Sequence, residues 1–218
     1  MRHIPESSLP VDTGRLIAIA ETTGQIEAIT NFVVRQVLDD LAEWKRLKIS
    51  VPPIAVNISV KNLYQKDFAD WVISEIEDRG LGRDSIKLEI TESALASDSE
   101  VALANINQLR ARGIALSIDD FGTGFSSLAY LRTIPATEIK IDRSFISDVG
   151  QEGTGEAITR AIIEISRALN FEMIAEGIEE KEQANWLVQN GCEVGQGYLF
   201  HRPMRAIDFE DLIAKTTN

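Results

Sequence analysis

The residues best suited to chemistry stand at the ends of apolar runs: Asn57, Glu89, the adjacent pair Asp119 and Asp120, Lys140, Glu176 and Gln196. The central segment reads Ile118-Asp119-Asp120-Phe121-Gly122-Thr123-Gly124 and follows the apolar run Ile114-Ala115-Leu116. Asn, Glu and Asp offer hard oxygen ligands, which suit Mg²⁺ or Mn²⁺. Two adjacent carboxylates at the end of a regular strand face opposite ways, because side chains alternate across it. Held together near a buried surface, they repel unless a cation neutralises them. Gly122 and Gly124 let the backbone approach a ligand closely, and Ser126 can cap a following helix. Alone, the segment also suits a polar turn, since Asp and Gly are common there. The recurrence of polar endings along the chain is what tells against that reading.

The other candidates each carry a plain alternative. Glu92 lies three residues after Glu89 and begins a loop. It can brace that loop, or it is a surface acid or a first-turn helix charge. Lys140 among acids is either a structural ion pair or the holder of a nucleophilic water or a phosphate oxygen. Glu176 can be a ligand or a base, or simply the residue before a turn at Gly177. Gln196 lies between Gly195 and Gly197, which suits close backbone approach or a bend. The two histidines, His3 and His201, lie outside these segments, and with one cysteine, Cys192, there is no zinc-type cluster. An acidic, metal-filled face at strand ends suits two chemistries. One is two-metal phosphodiester hydrolysis. The other is enolase-like proton abstraction with Lys140 as base. Neighbouring acids at 119 and 120 can serve two ions, which favours the first.

The elements that must position these residues alternate. A helical stripe of Ile26, Ile29, Val33, Val37, Leu41 and Trp44 stops before Pro52-Pro53. Strands are predicted over 54–59, 86–90, 114–119, 138–142, 172–176 and 194–198. Helices are predicted over roughly 67–78, 99–112, 180–190 and 206–215, with a short one after Ser126. Another presents Ile158, Ile162, Ile165 and Leu169 on one face. The start, up to about Gly14, reads as loose. Alternating strands and helices imply parallel strands with right-handed crossovers. Two layouts fit: an open doubly wound sheet, or a (β/α) barrel of which six of eight strands are visible. In a barrel all the polar endings would meet at the C-terminal face. In an open sheet only those at a switch point would.

The 218 residues, 44% hydrophobic and 26% charged, are those of an ordinary globular protein with room for a sizeable core. The net charge of −12, without a Lys/Arg cluster, argues against DNA, RNA or anionic membranes as partners. It leaves room for an anionic substrate, because bound metals invert the local field. A lone cysteine allows no intrachain disulfide and suits a reducing compartment; Cys192 is expected to be buried. No apolar run is long enough to span a bilayer and the first residues lack a signal-peptide core, so the expected location is cytoplasmic, or a cytoplasmic part of a larger signalling protein.

The runs AVNIS (55–59), KLEITES (87–93), IDDFGTGFSSLAYL (118–131), IKIDRSF (139–145), IAEGIE (174–179) and GQGYLFHRPM (195–204) closely resemble the EAL domain family. The resemblance implies a TIM-like modified (β/α)₈ barrel as a single domain, and metal-dependent hydrolysis of cyclic di-GMP to pGpG with two Mg²⁺ or Mn²⁺ ions. It implies Asn57, Glu89, Asp119, Asp120 and Glu176 as metal ligands, and Lys140 as the residue orienting the water. Glu92 would anchor the loop Asp120–Gly124. Asp142, Glu179 and Gln196 would complete the polar shell. Phe125 stands where the family has Tyr. The Glu-Ala-Leu motif itself, followed in the family by an arginine, precedes a segment like His3–Pro10 and is not in this sequence. The barrel is therefore expected to lack its first two strands, one metal ligand and a phosphate-contacting arginine. The alternative is a cyclic di-GMP receptor that does not hydrolyse, or a protein-interaction module. The resemblance also implies a homodimer or a regulatory partner.

Overall fold

The computed structural model describes residues 12–92, 99–124, 135–150 and 154–216. Phe125, Ser126 and the short helix expected after it, and the segment His3–Pro10, lie outside the described residues. Six strands form one sheet in sequence order: β1 (Ile54–Ile58), β2 (Ile86–Thr91), β3 (Ala115–Phe121), β4 (Glu138–Ile141), β5 (Glu172–Ala175) and β6 (Val194–Gly195). The pairs β3/β4, β4/β5 and β5/β6 are parallel. A doubly wound sheet reverses its order at a switch point; this one does not reverse. The α/β fold therefore has the strand order of an incomplete (β/α)₈ barrel, which resolves the choice between the two layouts. Among the described residues no helix is long and apolar enough to cross a membrane.

The helices are α1 (Thr13–Thr23), α2 (Ile26–Arg46), α3 (Val60–Leu63), α4 (Phe68–Asp78), α5 (Glu100–Ala111), α6 (Arg143–Ile146), α7 (Thr154–Ala168), α8 (Lys181–Gln189) and α9 (Ala206–Thr216). The sequence pattern did not show α1, because Ala20 is its one buried residue and periodicity needs a buried face. Its ends are nonetheless written locally. Asp12 Oδ1 accepts the N–H groups of Gly14 and Arg15, and Gly24 closes the helix at φ 74°.

The chain divides into two compact units: residues 1–87, 101–114 and 203–218 in the first, and 88–100 and 115–202 in the second. In the first, α2 buries Val34, Val37, Leu38, Leu41 and Trp44. Asn105 of α5 is buried and ties α4 down: its Oδ1 accepts Ala69 N–H, and its Nδ2 donates to the carbonyls of Leu63 and Gln65. In the second unit, all four residues of β4 are buried, as befits a strand covered on both faces. The buried stripe of α7 runs through Thr159, Ile162, Ile163 and Ser166, while Ile158 is 44% exposed. The expected Ile158-to-Leu169 stripe is thus rotated. Thr159 and Ser166 take inward positions because each hydroxyl donates to the carbonyl four residues back, Gly155 and Ile162.

Candidate active site

Within the second unit, register brings polar side chains to one face. Ser117 of β3 is level with Glu138 of β4, so Asp119 and Lys140, each two residues on, continue the same face. Lys140 is level with Ile174 of β5, which puts Glu176 just past the strand on that face. Lys140 Nζ lies 2.7 Å from Glu89 Oε1, 2.9 Å from Asp119 Oδ1 and 2.5 Å from Glu176 Oε1. Lys140 is 4% exposed, Glu89 7% and Asp119 8%.

Asp119 and Asp120 converge instead of facing opposite ways. The β3/β4 register slips between Ile118 and Phe121, and Asp120 adopts φ 54°. A bulge of this kind re-aims a side chain, and aspartate is among the few residues that tolerate this backbone region. As a result Asp119, Asp120 and Glu176 each offer a carboxylate oxygen, all within 4.8 Å of one another. Oxygen ligands on opposite sides of a Mg²⁺ ion stand about 4.2 Å apart, so this spacing fits a divalent ion with little rearrangement.

The electrostatics agree with that fit. Burial first, then the charges of Asp119 and other neighbouring acids, holds the Glu89 and Glu176 carboxyls above the usual range despite Lys140. Burial and the charges of Asp119 and Asp142 do the same to Asp120. Burial works against the Lys140 ammonium, but Glu89, Asp119 and Glu176 outweigh it and hold its pKa above the ordinary lysine value. Four carboxylates against one ammonium leave three formal negative charges, a site that favours added cations.

Around this cluster, Glu92 Oε2 accepts the N–H groups of Gly122 (2.9 Å) and Gly124 (3.3 Å). The close approaches at the two glycines are to the protein itself. A Cβ at Gly122, where φ is 95°, would stand 2.9 Å from the Phe145 ring, and one at Gly124 would stand 3.0 Å from the Glu92 carboxylate. Gln196, in the turn just after β6, donates from Nε2 to Glu176 Oε1 at 2.5 Å. Asp142 caps α6, its Oδ1 accepting from Ser144 N and Oγ. Glu179 is exposed, and its backbone N–H donates to Gln183 Oε1. Asn57 lies on β1 in the first unit, with its side chain exposed. Cys192 is buried, as expected.

Gln183 is the residue sequence reasoning passed over. It is 7% exposed; its Oε1 accepts from Glu179 N and Glu180 N, and its Nε2 donates to Ile146 O. It thereby clamps the Glu176–Glu180 segment to the end of α6. The signal was present as the capping-box spacing Glu180-x-x-Gln183.

Comparison with known proteins gives a consistent result. The family model described as EAL domain matches residues 4–203. The protein named cyclic di-GMP phosphodiesterase NbdA of Pseudomonas aeruginosa is 38% identical over 217 residues, covering 97% of this chain and 27% of its own length. Cyclic di-GMP phosphodiesterase PdeR of Escherichia coli is 35% identical, covering 94% of this chain and 31% of its own length. The chain thus spans about a quarter to a third of these curated relatives. Among solved structures, one described as PaMucR phosphodiesterase in complex with c-di-GMP superposes with a TM-score of 0.86 at 36% identity, covering 91% of this chain and 81% of that one. The EAL domain of Mycobacterium smegmatis DcpA does so with a TM-score of 0.82 at 31% identity, covering 87% and 85%. A carboxylate cluster at the ends of consecutive parallel strands, with matches across nine-tenths of the sequence, leads to one assignment: this chain belongs to the EAL domain family.

Proposed function

We propose that the chain hydrolyses cyclic di-GMP to pGpG: water adds across one phosphodiester and leaves a 5′-phosphate and a 3′-hydroxyl. The observation that carries this is the group of buried Glu89 and Asp119 and half-buried Glu176 around Lys140, with exposed Asp120 beside them and too little positive charge to balance the four acids. Divalent ions, Mg²⁺ or Mn²⁺, would supply a lowered water pKa and a clamp on the phosphate oxygens. Asp119, Asp120 and Glu176 support the reading as ligands through their spacing, Glu89 by facing the same ammonium, and Asn57 through the family pattern alone.

The chain's own groups then divide the work. Glu89, Asp119 and Glu176 hold the Lys140 pKa above the ordinary lysine value, which disfavours the enolase-like alternative in which it serves as a base. Its ammonium lies against Glu89, Asp119 and Glu176, and would hold the attacking water or a phosphate oxygen once cations take over part of those carboxylates. Gln196 fixes one oxygen of Glu176 and leaves the other for a cation or a water. Glu92 holds the backbone of Gly122 and Gly124 and so the direction in which Asp120 points. Asp142, at the mouth of α6, and Glu179 supply polar contacts to the nucleotide.

The test is incubation of the chain with cyclic di-GMP and Mn²⁺, with pGpG measured by chromatography. Asp119→Ala should abolish turnover, and retained turnover in that variant would refute the metal assignment. Micromolar binding of cyclic di-GMP with no pGpG formed would establish the receptor reading instead.

A further inference from the structure

Far from the carboxylate cluster along the sequence, the first unit contains an apolar cleft of about 180 Å³. Its walls include Val37 and Trp44 of α2, Ile54 and Phe209; Asp40 and Arg205 are its charged lining. Ile54 opens β1, while Asn57 is near the other end of that strand. Three residues of strand separate the two by about 10 Å, so the cleft sits at the opposite end of β1 from Asn57.

Size limits the occupant. Metabolite sites run to roughly 300–1,000 Å³, whereas an apolar cavity of about 150 Å³ accepts one benzene ring. The cleft therefore fits a single ring or one large aliphatic group. Trp44 and Phe209 stand 5.5 Å apart between centroids, tilted by 49°, and present ring surface to it. Leu47 and Ile207, beside the cleft residues on the same two segments of chain, are 46% and 56% exposed.

Charge limits it further. Among the described residues neither Asp40 nor Glu210 forms an ion pair. Asp40 Oδ1 accepts from Gln36 Nε2 at 3.0 Å, and Glu210 Oε1 accepts from Trp44 Nε1 at 2.8 Å. Arg205, the cation of the lining, is engaged with both oxygens of Asp208, at 2.9 and 3.1 Å. Burial, and after it the charges of Asp39 and Glu210, push the Asp40 carboxyl upward, the mark of a negative site without a counter-charge.

We propose that this cleft docks a basic segment of a partner protein, seating one aromatic or large aliphatic side chain against Trp44 and Phe209 and placing an adjacent lysine or arginine before Asp40 and Glu210. An apolar anchor in a pocket with a charged neighbour is the usual form of a peptide hot spot. The overall charge of −12 steers basic partners toward the chain. The site does not depend on the reaction proposed above, and its residues take no part in that reaction.

The probe is a fluorescein-labelled peptide, Lys-Lys-Phe-Leu-Lys-Lys, titrated with the whole chain and followed by fluorescence anisotropy. Ala206→Phe, which fills the cleft, and the double variant Asp40→Asn/Glu210→Gln should each weaken binding by about tenfold or more. Both should leave cyclic di-GMP turnover as it was. Should Ala206→Phe melt early, Asp40→Lys provides a second readout by reversing the charge of the cleft lining, and unchanged peptide binding in it overturns the proposal. The proposal fails if the peptide does not bind, if the filled or charge-neutral variants bind it equally well, or if Glu in place of its lysines changes nothing. Loss with the charge variants but not with Ala206→Phe would mean surface electrostatics alone, and would overturn it. A dimer that Ala206→Phe dissociates would give the cleft to a second copy and overturn it too.

Discussion

In the first unit, Asn105 is 1% exposed, and its amide hydrogens and oxygen all have partners in the chain. In the second unit, Lys140 is equally hidden, yet it stands among three carboxylates with Asp120 close by, and no arrangement of its three hydrogens neutralises them all. A satisfied buried polar group secures structure, here the link from α5 to α4. An unbalanced one costs stability and persists where chemistry needs it. The contrast separates scaffold from site without reference to any relative.

The sharpest way to break the comparison is to remove one charge from each kind of centre. Asp119→Ala should lower hydrolysis on the order of a thousandfold or more, with a melting temperature unchanged or raised, because a repelling carboxylate is gone. A large fall in melting temperature would mean that the cluster is structural. Asn105→Ala should do the reverse. It leaves Ala69 N–H and the carbonyls of Leu63 and Gln65 without partners, at about 3 kcal/mol in urea unfolding, while kcat of the folded protein hardly changes.

Glu92→Ala sharpens the line between positioning and reacting groups. Turnover should drop roughly 10- to 100-fold, with kcat falling more than KM rises, since the loop at Gly122 and Gly124 loses its acceptor. A pH series tests the unbalanced charge directly. The Glu89 and Glu176 carboxyls have folded-state values above the ordinary range. Protons therefore compete with a cation there at higher pH than at an exposed acid, and native-state proton binding adds stability as pH falls through that raised range. The melting-temperature increase produced by Mn²⁺ at pH 7.5 should shrink steadily toward pH 5, while the metal-free protein loses less than surface acids alone would predict. A constant Mn²⁺ effect across that range would contradict the site. The smallest effect is expected at Glu75, which accepts from Arg35, Arg79 and Trp71 at the edge of the first unit. Glu75→Gln should cost about 1 kcal/mol, because the amide keeps an acceptor oxygen in place and only the charge is lost.

Much of this was legible in the residue order. The polar endings at Glu89, Asp119 and Lys140 stand out because each follows β-forming apolar residues. The helix α8 was equally readable, whereas Gln183 was passed over: its capping-box spacing to Glu180 was in the sequence, but its bond to the Ile146 carbonyl was not. Other features were not. The α1 helix buries almost nothing, so no periodicity announces it. The inward positions of Thr159 and Ser166 look polar in a list of residues and become apolar in effect only once their hydroxyls find carbonyls. Gly122 and Gly124 read as room for a ligand, whereas their tight contacts are Phe145 and Glu92.

Sequence by itself determined the order of the six strands, the acidic balance and the identity of the groups able to hold a cation, since these follow from local pattern and composition. Tertiary structure decided which of those groups meet. The bulge at Asp119-Asp120 turns neighbours that should diverge toward one point, and the β4/β5 register sets Glu176 beside Lys140. Such outcomes depend on pairing between residues more than twenty positions apart, and no local preference of the chain encodes them.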